Sequence, residues 1–436
     1  MFLSNLGCAR NLVDSEIMLG ELASGGFTIT PDPAIADIII VNTCSFIESA
    51  VDESVDEILE LAELKKTGRC KRFIVTGCLP ERFREEIAGS LPEVDAFLGT
   101  GAYHKITEVL TRPPEPGNCL LPPPAGLPLQ THDTRRIHST TAMAYLKVTE
   151  GCNRHCTYCI IPRLRGTLRS RIIEDIEAEA RHLISSGFRE LVIIGQDTGS
   201  YGKDLVPDPN FSRLLEKIAE ISTGTWIRFL YGSPDTTDER LIRTVAAHEN
   251  VCSYFDIPIQ HASSRILKRM GRHYDKNALL RLFDNIREII PEAALRTTIM
   301  VGFPGETDSD FEQMLNFIKT VKFDHLGTFI YSDSDDLPSH KLSGHVPASV
   351  AKERHHVLMS AQSEISAKKN QNHIGHIYPV LVEEQVEAGL FTGRSSFQAP
   401  EVDGIIYIDS TDAGVGEFSD IKICDALEYD LRGETI

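Results

Sequence analysis

One tryptophan, Trp226, stands in a chain of 436 residues. No stretch approaches the roughly 18 uninterrupted apolar residues of a spanning helix, so no membrane span and no membrane partner are expected. Positive charge is also short. Lys and Arg number 44 against 63 Asp and Glu, a net charge of −19. A protein that coats phosphates displays a basic face, so this balance speaks against direct RNA binding and for a cationic partner. The first residues, Met1-Phe2-Leu3-Ser4-Asn5, lack the basic segment and apolar run of a secretory signal, and a cytoplasmic location is expected. Cysteine, by contrast, is plentiful. Ten cysteines in a chain read as non-secreted point to metal or redox chemistry, not disulfides.

Three of them lie in Gly151-Cys152-Asn153-Arg154-His155-Cys156-Thr157-Tyr158-Cys159, a C-x3-C-x2-C spacing. Three thiolates on one loop can hold three irons of a 4Fe-4S cubane and leave the fourth open. Fully ligated clusters usually move electrons; a metal centre keeps an open position when a substrate must bind to it. A zinc site is the competing reading, but His155 is too close to Cys156 to close a tetrahedron comfortably. A disulfide would leave an odd cysteine. The spacing resembles the signature of the radical-SAM superfamily. That likeness implies S-adenosylmethionine (SAM) on the open iron, an electron donor to cleave it, and Tyr158 against the adenine.

The chain divides by composition. Residues 1–112 alternate strand and helix: Ile38-Ile39-Ile40-Val41 and Phe73-Ile74-Val75 read as strands buried on both faces, with a helical pattern through Val51, Val55, Ile58, Leu59 and Ala62 between them. Residues 113–138 are Pro-rich and read as linker. Residues 139–372 repeat the alternation. Strands are predicted at Ala144–Thr149, Glu190–Gly195, Trp226–Leu230, Ser253–Ile257, Leu295–Val301 and His325–Ile330. Helices are predicted at Ile173–Ser186 and Asp308–Val321. The fold class is therefore α/β, a parallel-sheet domain followed by an open (β/α)6 partial TIM barrel, whose chemistry belongs at the C-terminal strand ends. Residues 373–436 are too short for another βα layer. Short runs at Ile377–Val382, Leu390–Thr392, Gly404–Ile408 and Phe418–Ile423 suit a small antiparallel β-barrel.

A second trio, Cys8, Cys44 and Cys78, ends three successive predicted strands of the first domain. Parallel strands carry their C-termini along one sheet edge, where ligands gather. Buried structural cysteines at strand ends are the alternative. Cys70, Cys119, Cys252 and Cys424 fit no ligand pattern.

Two cysteine trios in this order, with a short β domain after them, resemble the methylthiotransferase family of radical-SAM enzymes. The likeness rests on Leu6–Glu16, Val41–Ile47, Thr76–Leu79, the Cys152 loop, Gly195–Thr198, Asp256–His261 and Val301–Thr307. It implies a second 4Fe-4S cluster on Cys8, Cys44 and Cys78, a TRAM-like last domain, and addition of a methylthio group to an unactivated carbon. It also suggests that Gln196 and Asp197 hold SAM, with Arg296 and Glu306 nearby; a helix N-cap is the alternative role for Asp197. One branch of the family modifies tRNA adenosine, another an aspartate of small-subunit ribosomal protein twelve. From Ile374 to Ile436, thirteen acidic residues face only Arg394, Lys422 and Arg432. Such a surface repels phosphate and suits a basic ribosomal protein. The segment Gly393–Gly404 also resembles the ribosomal-protein branch. Tyr331-Ser332-Asp333-Ser334-Asp335-Asp336-Leu337-Pro338 departs from it, where Glu-Glu-Gly-Thr is expected after the Tyr-Ser pair. A tRNA enzyme, or an electron-transfer protein with two clusters, are the other readings.

Overall fold

The computed structural model describes the chain except residues 114–116, 141 and 208. Pro114, Glu115 and Pro116 of the expected linker lie outside the described residues.

The first domain is a five-stranded sheet, all parallel, its strands in chain order: Phe2–Asn5, Ile38–Thr43, Arg72–Gly77, Ala96–Gly99 and Asn118–Leu120. The fifth strand falls within the stretch read as linker. The end of that stretch, at Arg136 and Ile137, is anchored as well. Arg136 reaches the buried carboxylates of Glu16 at 2.6 Å and Glu179 at 2.8 Å, and Ile137 N–H donates to the Glu16 carbonyl. Proline prevents regular structure here but not attachment, because side-chain charges can still hold the backbone.

The barrel strands are Met143–Lys147, Glu190–Ile194, Trp226–Phe229, Tyr254–Asp256, Ala294–Val301 and His325–Ile330. They form two parallel three-stranded sheets joined by a bridge between Ile227 and Val251. No pairing joins the first strand to the last among the described residues, so the barrel is open. Side chains alternate across the wall. Ala144, Leu146, Leu191 and Ile193 pack on the outer helices, whereas Tyr145, Val192 and Ile194 point inward. The inward set shares one core with Val13, Ile17 and Met18 of helix Ala9–Ser24. The first domain therefore packs against the inner wall of the barrel.

Helix Asp308–Val321 lies where predicted, opened by a capping box of Thr307 and Asp310. Helix Ala348–Gln371 crosses back along the last barrel strand and delivers the chain to a closed five-stranded barrel. That barrel follows the expected pattern with one addition and one difference. Strand Leu431–Thr435 completes it, and pairs in parallel with Ile406–Asp409 while all other pairs are antiparallel. The parallel pair closes the barrel and removes the exposed edge. Among the described residues, no helix is long and apolar enough to cross a membrane.

Candidate functional site: two cysteine trios on facing strand ends

Cys152, Cys156 and Cys159 occupy the loop after the first barrel strand, on the C-terminal side. Gly151 turns the chain into that loop at φ +78°; a Cβ there would stand 2.1 Å from the Thr167 carbonyl oxygen, so only glycine fits. The Arg154 N–H donates to Cys152 Sγ at 3.4 Å, and Cys159 N–H to the Cys156 carbonyl at 3.1 Å. Cys156 and Tyr158 pack with Ile266, Met270 and Phe303. Burial pushes the Cys159 thiol up to about 12 and raises Cys152. Loading metal on this loop must expel those protons.

Cys8, Cys44 and Cys78 stand at the ends of three neighbouring strands, along one edge of the sheet. The first is the residue before helix Ala9–Ser24, the second follows strand Ile38–Thr43, and the third begins helix Cys78–Phe83. Gly7, at φ +95°, would place a Cβ 2.8 Å from Cys44 Cβ and 3.2 Å from its Sγ, so the first loop presses directly on the second cysteine. Asn11 ties the edge together. Its amide donates to the carbonyls of Leu6 (3.0 Å) and Thr43 (2.9 Å), and its oxygen accepts from the Cys78 thiol at 3.8 Å. Among the described residues, no group of three or more His, Cys, Asp and Glu gathers as a single metal ion requires. A cubane sets a different condition, because each thiolate takes its own iron and the sulfurs stand farther apart.

Two cations serve the second trio. Arg165 is 3% exposed; it pairs with Asp14 at 2.5 Å, holds the Asn11 oxygen, and points a third N–H at Cys78 Sγ, 3.9 Å away. Arg10 lies over the Tyr231 ring, 4.1 Å from its centroid, and donates to the Gly195 carbonyl at 3.3 Å. Burial opposes ionisation of Cys8, yet these two guanidiniums bring its thiol below the usual value. Cys78 is pushed up to about 12 by burial, and Cys44 is also raised. Neither arginine could be assigned from spacing, because their partners lie far away in sequence. The only signal was Arg10 beside Cys8 in the quoted motif.

Between the trios runs a buried polar seam. Lys147 binds Asp14 (2.6 Å) and Glu150 (3.0 Å), and Glu150 accepts from Gln196 at 2.6 Å. Among the described residues, neither the Gln196 oxygen nor Asp197 Oδ1 has a hydrogen-bond partner. The other Asp197 oxygen is held by Arg154, itself anchored to Asp235 at 2.7 Å, and by Ser200 at 2.7 Å. Asp197 makes no side-chain cap on the 3-10 turn that follows. Two buried acceptors left open beside the cysteine loop are what the ammonium of a bound amino acid would satisfy. The residues thus fit a cluster with SAM on it.

Tyr158 presents its ring edge to Phe303, and its hydroxyl accepts from Arg272 at 2.6 Å. Glu306 is enclosed: it accepts from Gly302 N–H at 2.9 Å and pairs with Arg354 at 2.8 Å. Arg296 stands near the start of its strand, engaged by Asp256 at 2.9 Å and Asp403 of the last domain at 3.3 Å. Tyr231 (φ +61°) and Gln260 (φ +66°) are non-glycine residues in left-handed conformation just past strand ends. Such strain collects at functional faces.

Residues 146–318 match the model of the radical SAM superfamily, residues 1–99 that of the uncharacterized protein family UPF0004, and residues 374–436 that of the TRAM domain. The chain is 52% identical, over 99% of both chains, to the ribosomal protein uS12 methylthiotransferase RimO of Desulfosudis oleivorans. It is 48% identical to the protein of that name from Clostridioides difficile, over 100% of this chain and 98% of the other, and 46% identical to that of Geobacter sulfurreducens, over 99% and 97%. Among solved structures, the radical S-adenosylmethionine methyltransferase TsrM from Kitasatospora setae aligns at TM-score 0.58, covering 84% of this chain and 88% of that one. At 12% identity this shares the fold alone.

Proposed function

We infer the activity from membership: the chain belongs to the uS12 methylthiotransferase family of radical-SAM enzymes. It is a transferase of a sulfur-containing group that uses SAM and an iron–sulfur cluster, and its substrate is ribosomal protein uS12. The acceptor in this reading is the β-carbon of one aspartate of that protein. The carrying observation is the pair of cysteine trios, one at the C-terminal edge of the parallel sheet and one at that of the barrel, with a single buried polar seam between them.

Cys152, Cys156 and Cys159 would hold the SAM-binding cluster, and Cys8, Cys44 and Cys78 a second one. When bound, the first cubane supplies reductive cleavage of SAM and the second an open iron for sulfur. The protein's own part is positional. Gln196 and Asp197 offer acceptors to the SAM ammonium, and Tyr158 offers an apolar ring to the adenine. Glu306 holds the loop after the fifth barrel strand in place. Arg296 braces that strand against the last domain through Asp403. Arg10 and Arg165 offset the negative charge of three thiolates in a buried site.

The partner reading follows from charge. Of the three cations in the last domain, Arg394 is buried against Glu190 and Glu383, and Arg432 is paired with Asp409. The acidic surface is left almost unneutralised, which favours a basic ribosomal protein over RNA. An electron donor is also required, and a cytoplasmic location accords with a ribosomal substrate. The working division is 1–112, 113–138, 139–372 and 373–436, with strand Asn118–Leu120 of the second segment belonging to the sheet of the first.

The test is mass spectrometry of uS12 and tRNA from cells lacking the gene. The methylthio mark should vanish from uS12 alone. Loss from tRNA with uS12 unchanged would reverse the reading in favour of the tRNA enzyme.

A further inference from the structure

The segment that departs from the expected pattern, Tyr331–Pro338, reaches across from the last barrel strand to the first domain. Glu48 N–H donates to Ser332 Oγ at 3.1 Å. Leu337 packs with Cys78, Ile160 and Leu164. Asp336 is the centre of the contact. It takes a two-pronged grip from Arg82, whose Nε and Nη2 lie 3.0 and 3.1 Å from its two oxygens. It also accepts from Arg163 at 3.2 Å, and Arg163 donates in turn to the Arg82 carbonyl at 2.9 Å. Arg82 is only 4% exposed, and its remaining N–H groups go to the Ser45 carbonyl (2.8 Å), Glu48 (3.0 Å) and Ser334 Oγ (2.7 Å).

The positions of these partners matter. Arg82 lies four residues after Cys78, on the helix that Cys78 begins; Ser45 follows Cys44. Arg163 lies four residues after Cys159, on helix Ile161–Arg165, whose last residue is the Arg165 that faces Cys78. One carboxylate therefore joins the short helix leaving one trio to the short helix leaving the other. The forked Arg82 contact holds orientation as well as distance, and the single Arg163 contact adds a second tie.

We propose that Asp336 is a positioning residue that sets the separation and alignment of the two cysteine trios. The proposal rests on the reading that both trios carry clusters. Clusters held by the two trios would have to serve one substrate carbon, and a misplacement of about 1 Å costs up to about a hundredfold in rate.

Asp336→Ala removes the shared acceptor and leaves Arg82 its contacts to Ser45, Glu48 and Ser334. In metal-free protein, amide hydrogen exchange across 78–83 and 161–165 should quicken by about tenfold, as expected for one lost charge-assisted contact. In protein reconstituted to about eight irons, deoxyadenosine should form within about twofold of wild type while methylthiolated uS12 per deoxyadenosine falls at least about tenfold. The dipolar coupling between the two reduced clusters, read by pulsed EPR, should broaden. Asp336→Asn, which keeps an acceptor without the charge, should fall between, and Arg163→Ala at a half-exposed position should shift the same readouts in the same direction. These two carry the test if Asp336→Ala does not fold. Unchanged exchange overturns the proposal. So does faster exchange with wild-type product per deoxyadenosine, since the contact would then serve the fold alone. Wild-type protein that saturates near four irons would instead sink the two-cluster reading, with exchange in the metal-free protein still deciding the clamp.

Discussion

The barrel trio and the sheet trio reach similar ends by opposite means. Cys152, Cys156 and Cys159 share one loop, and their spacing is set by local chain geometry after a single glycine turn. Cys8, Cys44 and Cys78 come from three strands, and only the parallel register of the sheet brings them together. The first trio carries its geometry in its sequence; the second borrows it from tertiary structure. The electrostatics differ too. Burial dominates at Cys152 and Cys159. The sheet trio has two buried guanidiniums, one of them from the barrel loop, and Cys8 is held below its ordinary range. A local trio tolerates loosening of its surroundings, whereas an assembled one needs the fold, and here also its neighbour.

The largest expected effect separates the trios by chemistry. Cys156→Ala should abolish deoxyadenosine formation, because two thiolates cannot hold the cubane in place. Persistent deoxyadenosine, measured by chromatography after adding SAM and reductant, would break the assignment of the barrel trio. Cys44→Ala should lower the iron content from about eight to about four and stop product, while SAM cleavage continues. Normal methylthiolated uS12 from that variant would remove the sheet trio from the reaction.

The same contrast governs what could be read before the structure. The barrel loop was legible at once, because its three ligands and their chemistry lie within one stretch. The sheet trio was legible only as three strand ends, and convergence had to be supplied by the rule that parallel strands end on one edge. All six barrel strands were legible from the alternation of strand and helix patterns. Leu431–Thr435 was not, since Leu-Arg-Gly-Glu-Thr offers one apolar side chain and gains its place by closing a barrel. Asn118–Leu120 hid within proline-rich sequence. Arg165, Arg82 and Asp336 were illegible for a common reason: each is defined by partners that only the fold places beside it.

Smaller effects sharpen the comparison. Arg165→Met leaves the Cys78 side of the site without its buried cation and leaves Asp14 to Lys147 alone. The expected loss in stability lies below the roughly 3–5 kcal/mol of a buried charge left with no partner. The reduction potential of the sheet-trio cluster should fall, and that of the barrel cluster should not. Equal shifts in both would show that the guanidinium is shared. Asn42→Ala removes an amide that donates to the Asn11 carbonyl at 2.9 Å and Ser15 Oγ at 2.8 Å. The expected cost is about 1–3 kcal/mol, with iron lost from the sheet trio before the barrel trio on mild denaturation. The reverse order of loss would contradict the claim that the sheet trio depends more on the fold.

The smallest effect lies in a region that serves neither trio. Glu190 is fully buried at the start of its barrel strand, clasped by Arg228 at 2.6 Å and Arg394 at 2.7 Å, and Arg394 is the link to the last domain. Burial alone would raise its carboxyl, but the two guanidiniums hold it at about 2. A depressed carboxyl contributes its stability in full above its ordinary value near 4.5 and loses it as pH falls toward 2. Trp226 sits in this joint, its ring 4.5 Å from that of Phe418 in the last domain, and as the sole tryptophan it reports there without interference. In metal-free protein its fluorescence should hold steady at neutral pH and change between about 4.5 and 2. Glu190→Gln should weaken the joint at neutral pH, because buried Arg228 loses its carboxylate and Arg394 is left with Glu383 alone, and should flatten the acid transition. An acid transition unaltered by Glu190→Gln would assign it to other carboxylates and leave the joint to apolar packing alone.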